Sequence, residues 1–120
     1  MERVKNLTCR GKTILLIDLS HCPPQETIAV VEEAKKAVSR LAPKSGLVIT
    51  DVKGAHYNQE VAAAIKGLVS HNTPFVKASA VVGAEGAAAV LLQTVIFLTR
   101  RELKSFRTRE EALEYLASVN

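Results

Sequence analysis

Aromatic residues are scarce in this sequence, which has no Trp, three Phe and two Tyr among 120 residues. Proteins that bind single-stranded nucleic acid stack bases on aromatic side chains, so the scarcity argues against a nucleic-acid partner. It also predicts an aliphatic core. Because 48% of the residues are hydrophobic and 23% are charged, the composition is that of a soluble globular protein, and the length predicts one domain.

Cysteines are few, and no uncharged segment is as long as a membrane span. Cys9 and Cys22 lack the spacing of a redox or metal-binding motif, and the amino terminus has no apolar signal-peptide core. These two observations predict free thiols and a cytoplasmic location. Ala80–Leu98 approaches the length of a membrane span, but Glu85 and Gln93 lie inside it. We therefore predict that the chain is not an integral membrane protein.

Strand patterns and helix patterns alternate along the chain. Runs rich in β-branched and apolar residues predict strands at Thr13–Leu19, Leu47–Val52, Phe75–Val82 and Leu103–Phe106, after an edge strand within Met1–Cys9. Helical periodicity predicts helices at Gln25–Leu41, Tyr57–His71, Ala84–Leu98 and Thr108–Val119. The predicted fold class is α/β: a four- to five-stranded mixed, mainly parallel sheet with about four flanking helices, in a single domain over residues 1–120.

Polar residues and glycines follow the predicted parallel strands, at the sheet edge where such proteins bind ligands. The candidate ligand or anion rim consists of Asp18, Ser20, Asp51, Lys53, Gly83 and Gly86. Two carboxylates could hold Mg²⁺ while Lys53 contacts a phosphoryl group, which would make the chain a phosphoryl-handling enzyme. Alternatively, Asp18 and Asp51 cap the following turns or pair with Lys12 and Lys53.

Catalytic and cofactor motifs are incomplete. Gly83–Gly86 reads GxxG, without the third glycine of a dinucleotide fingerprint or the lysine of a P-loop, and it contains Glu85. His21, Cys22 and His56 are possible soft metal ligands, but no fourth ligand is evident. Cys22 would need a positioned base to act as a nucleophile. We therefore predict no catalytic residue, no metal site and no cofactor.

The segment Ala84–Leu98 is apolar on nearly every side, and a helix of that kind is normally covered all round. We expect the cover to be a second copy of the chain in a homodimer. A protein partner, a lipid or another small apolar ligand, and the neighbouring helices are the alternatives. The residues expected at the partner or dimer surface are Val90, Leu91, Ile96 and Phe97.

Positive charge is concentrated just after this segment. Between Phe97 and Arg109, five basic residues stand against one acidic residue, whereas the rest of the chain balances 11 against 11. Such a patch attracts phosphate, an acidic partner or anionic lipid, or it simply keeps the surface soluble. The candidate basic patch consists of Arg100, Arg101, Lys104 and Arg107.

Three segments carry a family resemblance: PKSGLVITDVKGA at 43–55, HNTPFVKASAVVGAEG at 71–86 and FRTREEALEYL at 106–116. They resemble a family of small bacterial proteins with a STAS-like fold, which anti-sigma-factor antagonists and sulfate-transporter tails share. That family is described alongside CRAL-TRIO lipid-transfer domains. The likeness extends from about Gly11 to Leu116. It implies a mixed sheet flanked by helices and no established catalytic activity.

The resemblance does not extend to the phosphorylation switch of the anti-sigma-factor antagonists. Those proteins carry a phosphorylated Ser after the strand that here ends in Asp51, but residues 52–58 contain no Ser or Thr. Asn58 instead has the character of a helix N-cap. Our prediction is therefore a non-enzymatic STAS-like regulatory or protein-binding module. The alternatives are a carrier of a lipid or small apolar ligand, with Arg100, Arg101 and Lys104 at its mouth, and the phosphoryl-handling enzyme.

Overall fold

A computed structural model describes residues 2–119 and folds them around one five-stranded sheet. The strands are β1 (Val4–Cys9), β2 (Lys12–Asp18), β3 (Gly46–Asp51), β4 (Val76–Val82) and β5 (Leu103–Phe106). The helices are α1 (Pro24–Ser39), α2 (Gln59–Asn72), α3 (Ala87–Thr99) and α4 (Arg109–Ala117). Only β1 runs antiparallel to its neighbour. The predicted α/β class with a mixed, mainly parallel sheet is confirmed.

The strands lie side by side in the order in which they occur in the sequence. A tight turn joins β1 to β2, and its two residues, Arg10 and Gly11, both have positive φ, as the favoured two-residue hairpin turns require. Each of the three following crossovers steps to the next strand in the same direction. Crossovers of one hand then place α1, α2 and α3 on the same face of the sheet, and α4 covers the other face.

The side-chain alternation of the strands separates two cores. Leu15, Ile17 and Val48 point toward α1–α3, whereas Leu16 and Ile49, one residue along, point toward α4. The larger core packs the buried stripes of three helices, and the smaller one packs Ala112 and Leu116 of α4. Successive side chains of a strand point to opposite faces of the sheet, so the same alternation determines on which face each polar residue at a strand end lies.

Capping side chains fix the starts of two helices, and the Asn58 cap is the predicted one. The Asn58 carboxamide oxygen accepts a hydrogen bond from the Val61 amide at 2.8 Å at the start of α2. The Thr108 hydroxyl accepts from the Glu111 amide at 3.2 Å at the start of α4. The Thr108 hydroxyl in turn donates a hydrogen bond to the Glu111 carboxylate at 3.2 Å. The bonds from the Val61 and Glu111 amides satisfy donors that have no partner within the first helical turn.

The helix α3 starts at Ala87, three residues later than predicted, because Gly83 and Gly86 both have positive φ. It ends at Arg100, whose φ of 57° is left-handed and whose amide donates to the Ile96 carbonyl at 2.9 Å. Within residues 2–119, no helix combines the length and the apolarity needed to cross a bilayer.

Candidate functional site

Two aspartates of the predicted rim lie next to each other at the carboxyl ends of β2 and β3. Asp18 and Asp51 are register partners across this parallel strand pair. By the period of two, Asp18 shares a face with Leu16, and Asp51 shares that face with Ile49. Both carboxylates therefore lie on the side of the sheet that α4 covers.

Arg109, the first residue of α4, joins the two aspartates. Its Nε donates to Asp51 Oδ2 at 2.7 Å, and its Nη2 lies 3.3 Å from Asp18 Oδ1. The Asp51 side chain is only 7% exposed. Arg3, which precedes β1, also approaches Asp18, with its Nη1 3.9 Å from Asp18 Oδ1. Its Nε donates to Glu26 Oε1 at 2.9 Å. The cluster thus closes one end of the sheet with paired charges.

The local turns also use these carboxylates. Asp18 Oδ1 accepts from the Ser20 amide at 3.0 Å and from the Ser20 hydroxyl at 2.6 Å. Asp51 Oδ1 accepts from the Lys53 amide at 3.0 Å. Burial alone would raise the pKa of Asp18, but the Ser20 hydrogen bonds and the Arg109 charge outweigh it and hold the pKa below its ordinary value.

These contacts bear on the magnesium hypothesis. A cation at Asp18 and Asp51 would have to displace Arg109, because the guanidinium already engages both carboxylates. Among residues 2–119, no group of three or more His, Cys, Asp or Glu side chains is placed to hold a metal ion. The two aspartates cap turns, as the alternative interpretation held, but their charge partners are arginines. Lys12 Nζ instead donates to the Val119 carbonyl.

Two other rim residues, Lys53 and Gly83, belong to a different place, on the side of α2 and α3, whereas Ser20 stays with Asp18 and Gly86 lines neither place. A concavity of about 600 Å³, which we call the outer concavity, lies at the carboxyl ends of β3 and β4. Lys53, Gly83, Glu85 and Arg107 line it. Gly83 has a φ of +77°, and a Cβ there would lie 2.7 Å from the Lys53 Cβ, so the loops after β3 and β4 touch. The structure therefore splits the predicted rim in two.

The outward side of α3 is apolar and uncovered. Phe97 is 81% exposed, Val90 68% and Leu98 59%, and they share one side of the helix because they are separated by about two turns. We call these three residues the α3 surface. Leu91 and Ile96, also expected at the partner surface, are half-buried and pack against the larger core. The helix is therefore covered on its inner side only.

Behind α3 lies a second, apolar cavity of about 60 Å³, which we call the inner cavity. It lies between the sheet and the helices α2 and α3, where Leu68, Leu92 and Val95 contribute to its walls. Ligands of lipid or drug size occupy several hundred Å³, so this cavity is too small for a lipid. Arg101 also lines it.

The predicted basic patch is divided in the same way. Arg100, Lys104 and Arg107 are exposed, whereas Arg101 is half-buried. Arg101 Nη1 donates to the Val69 carbonyl at 3.2 Å, and Nη2 donates to Ser79 Oγ at 2.7 Å. The left-handed turn at Arg100 reverses the chain after α3 and directs the next residue inward. Arg101 is therefore part of the interior and not of the surface patch.

The three residues considered as metal ligands, Cys22, His21 and His56, differ in their exposure to solvent. Cys22 is 0% exposed and belongs to the larger core, whereas His21 and His56 are exposed. A buried thiol in apolar surroundings is inert, because nucleophilic attack needs an accessible thiolate. Cys9 and Cys22 are both free thiols.

Comparison with known proteins finds no family model, no curated protein and no solved structure that matches this chain. The STAS-like family therefore stays a prediction from the resemblance of the three segments.

Proposed function

We propose that this chain is a non-enzymatic, STAS-like binding module of the bacterial cytoplasm that docks a second copy of itself through the α3 surface. The exposure of Phe97, Val90 and Leu98 on one side of α3 is the observation that carries this proposal. Aromatic residues at the centre of an apolar patch are the side chains that contribute most to protein interfaces. The five-stranded mixed sheet flanked by helices fits the architecture that the resemblance implies.

Charges at the two ends of α3 favour a second copy as the occupant. Glu85 lies just before the helix and Arg100 just after it, and both are exposed. In a two-fold symmetric pair with antiparallel helices, the start of one helix meets the end of the other. Glu85 of each copy would then approach Arg100 of the other copy, and the two α3 surfaces would pack against each other between these charge pairs.

Three residues are enough for the centre of such an interface but not for all of it. A specific interface buries about 800 Å² on each partner. Thr94, exposed one turn from both Val90 and Leu98, would lie within the interface, and the exposed Gln93 beside it would contribute to a polar rim. The two aspartates engaged by Arg109 and the buried Cys22 thiol support a binding role more than a catalytic one.

The test is the molar mass in solution of the wild type and of a Phe97→Glu variant, measured by size-exclusion chromatography with light scattering. We expect a dimer for the wild type. Burying a Phe side chain contributes about 1.5–3 kcal/mol, and two copies lose it at once, so the dissociation constant should rise at least about 100-fold.

Ala29→Glu is the matched control, because Ala29 is exposed on α1, far from this surface, and the substitution adds the same charge. It should leave the dimer unchanged. Both variants should retain the wild-type melting behaviour of the monomer, since neither position is buried. A wild-type monomer at all concentrations, or a dimer that persists in Phe97→Glu, contradicts the proposal.

A further inference from the structure

Arg101 differs from the other partly buried arginines in its surroundings. Arg3 pairs with Asp18 and Glu26, and Arg109 pairs with Asp18 and Asp51. Over residues 2–119, by contrast, no carboxylate lies within ion-pair distance of Arg101, although it is half-buried. The chain thus compensates the charge of two inward-facing guanidinium groups and leaves that of the third uncompensated.

The contacts that Arg101 does make are to neutral oxygens. The Val69 carbonyl and the Ser79 hydroxyl each accept one hydrogen bond from it. These bonds satisfy donors, but they supply no negative charge. Burial lowers the pKa of Arg101 below its ordinary value, as expected where water is removed and no anion replaces it. A cation in such a place gains most from an anionic ligand.

The inner cavity beside Arg101 is apolar over most of its wall. Its lining comes mainly from β3, β4, α2 and α3, with Leu103 of β5 and loop residues, and includes no Asp or Glu. The polar side chains that line it besides Arg101 are Thr50, Tyr57, Asn72 and Ser79. Since one water-sized group needs about 10–15 Å³, a volume of about 60 Å³ accepts roughly five such groups.

The inner cavity lies next to the outer concavity. Val52, Tyr57 and Ala88 line both spaces, so these three residues form the wall between them. The outer concavity carries Lys53 and Arg107, whose positive charge attracts anions from solution.

We propose that the inner cavity binds a small aliphatic monocarboxylate, with its carboxylate on the Arg101 guanidinium and its alkyl group against Leu92 and Val95. A planar guanidinium matches a carboxylate in shape and donates two parallel hydrogen bonds to it. The apolar wall favours an alkyl group over an inorganic anion, which would bury further polar oxygens without partners. The site is independent of the α3 surface, which lies on the other side of the helix.

The first experiment uses the wild-type protein and isobutyrate, a six-heavy-atom acid close to the size limit. We measure the melting temperature and titrate by NMR, with isobutyramide and phosphate at the same concentration and ionic strength as comparisons. Isobutyrate alone should raise the melting temperature and shift the methyl signals of Leu91, Leu92 and Val95. Equal effects of isobutyramide would reveal a merely apolar cavity, and equal effects of phosphate a general anion site; either result overturns the proposal.

The second experiment compares Arg101→Gln with Lys104→Gln, an exposed position that loses the same charge. Arg101→Gln loses the charge-assisted hydrogen bonds to the carboxylate, so we expect isobutyrate to bind at least about tenfold more weakly. Binding to Lys104→Gln should be unchanged. If Arg101→Gln does not fold, Arg101→Lys keeps the charge without the planar fork and should bind more weakly than wild type. Undiminished binding in the folded Arg101 variant, or no wild-type binding at all, also overturns the proposal.

Discussion

Replacing Arg109 by Met tests the charge cluster that closes one end of the sheet. The variant removes the guanidinium that contacts Asp51 at 2.7 Å and Asp18 at 3.3 Å, and it leaves these adjacent carboxylates facing each other. Breaking a buried ion pair by removing one partner costs about 3–5 kcal/mol. Because the Arg109 side chain is 36% exposed and Arg3 still faces Asp18, we expect a smaller loss in the free energy of unfolding, about 2 kcal/mol.

A loss of that size lowers the melting temperature of a domain of this length by roughly 8 °C. The helix itself does not explain the loss. Arg109 occupies the first position of α4, where the positive end of the helix dipole disfavours a cation, so its removal alone would slightly stabilise the helix.

The pH dependence gives the sharper measurement. The folded-state pKa of Asp18 lies below its ordinary value, so its interactions stabilise the wild type above about pH 4. This stabilisation is lost as the pH falls through the lowered pKa. Arg109→Met removes a charge that helps to lower the Asp18 pKa, so the variant has less of this stabilisation to lose. The difference between variant and wild type should therefore be largest at pH 7 and shrink as the pH falls below about 4, as measured by urea unfolding followed by circular dichroism.

The matched control is Arg107→Met, an exposed position two residues earlier, which should change the free energy of unfolding by less than about 0.5 kcal/mol. Adding Asp51→Asn to Arg109→Met should recover part of the loss, because one of the two facing charges is then gone. A cost for Arg109→Met that is below about 0.5 kcal/mol, or equal at pH 7 and at about pH 3, would refute the reasoning.

Two further variants test local geometry by thermal and urea unfolding. Asn58→Ala removes the cap of α2 and should cost about 1 kcal/mol, whereas Asn58→Gly should cost only a few tenths; equal costs would argue against the cap. Gly83→Ala should destabilise more than Gly11→Ala, by at least about 1 kcal/mol. The two glycines have φ of +77° and +78°, but only at Gly83 would a Cβ meet Lys53, while Gly11 faces open space. Equal losses at the two glycines would contradict the close approach of the loops.

The alternation of strands and helices could be predicted from the sequence because each signal is local. The β-branched run around Leu16 and the caps at Asn58 and Thr108 depend on residues within one turn or one strand. The same holds for β5, whose bounds, Leu103–Phe106, are the predicted ones. Local signals of this kind need no knowledge of how distant segments meet.

The charge cluster depends on a contact between residues 58 positions apart, and the sequence does not place them together. Asp51 meets Arg109 only once α4 lies on the face to which both aspartates point. One signal was present: an arginine at the start of a helix, beside Glu110 and Glu111, opposes the dipole and requires another partner.

The inward orientation of Arg101 could not be predicted from the sequence for a related reason. In the sequence it is one of several basic residues after an apolar helix, and charge counting treats them alike. Its burial follows from the left-handed backbone at Arg100, a conformation that non-glycine residues seldom adopt. The apolar pattern of α3 likewise could not indicate its outer side, because a helix apolar all round has no preferred face.

The sequential strand order has a consequence for how the chain folds. Each strand pairs with the strand made just before it, so the sheet can grow step by step as the chain leaves the ribosome. The last helix is different, since α4 returns across the sheet to cover Ile14 and Leu16 and to bring Arg109 to the aspartates. Until it arrives, one whole side of the sheet is open to water. We expect the sheet to reach full stability only when α4 docks on it, in a single late step of folding.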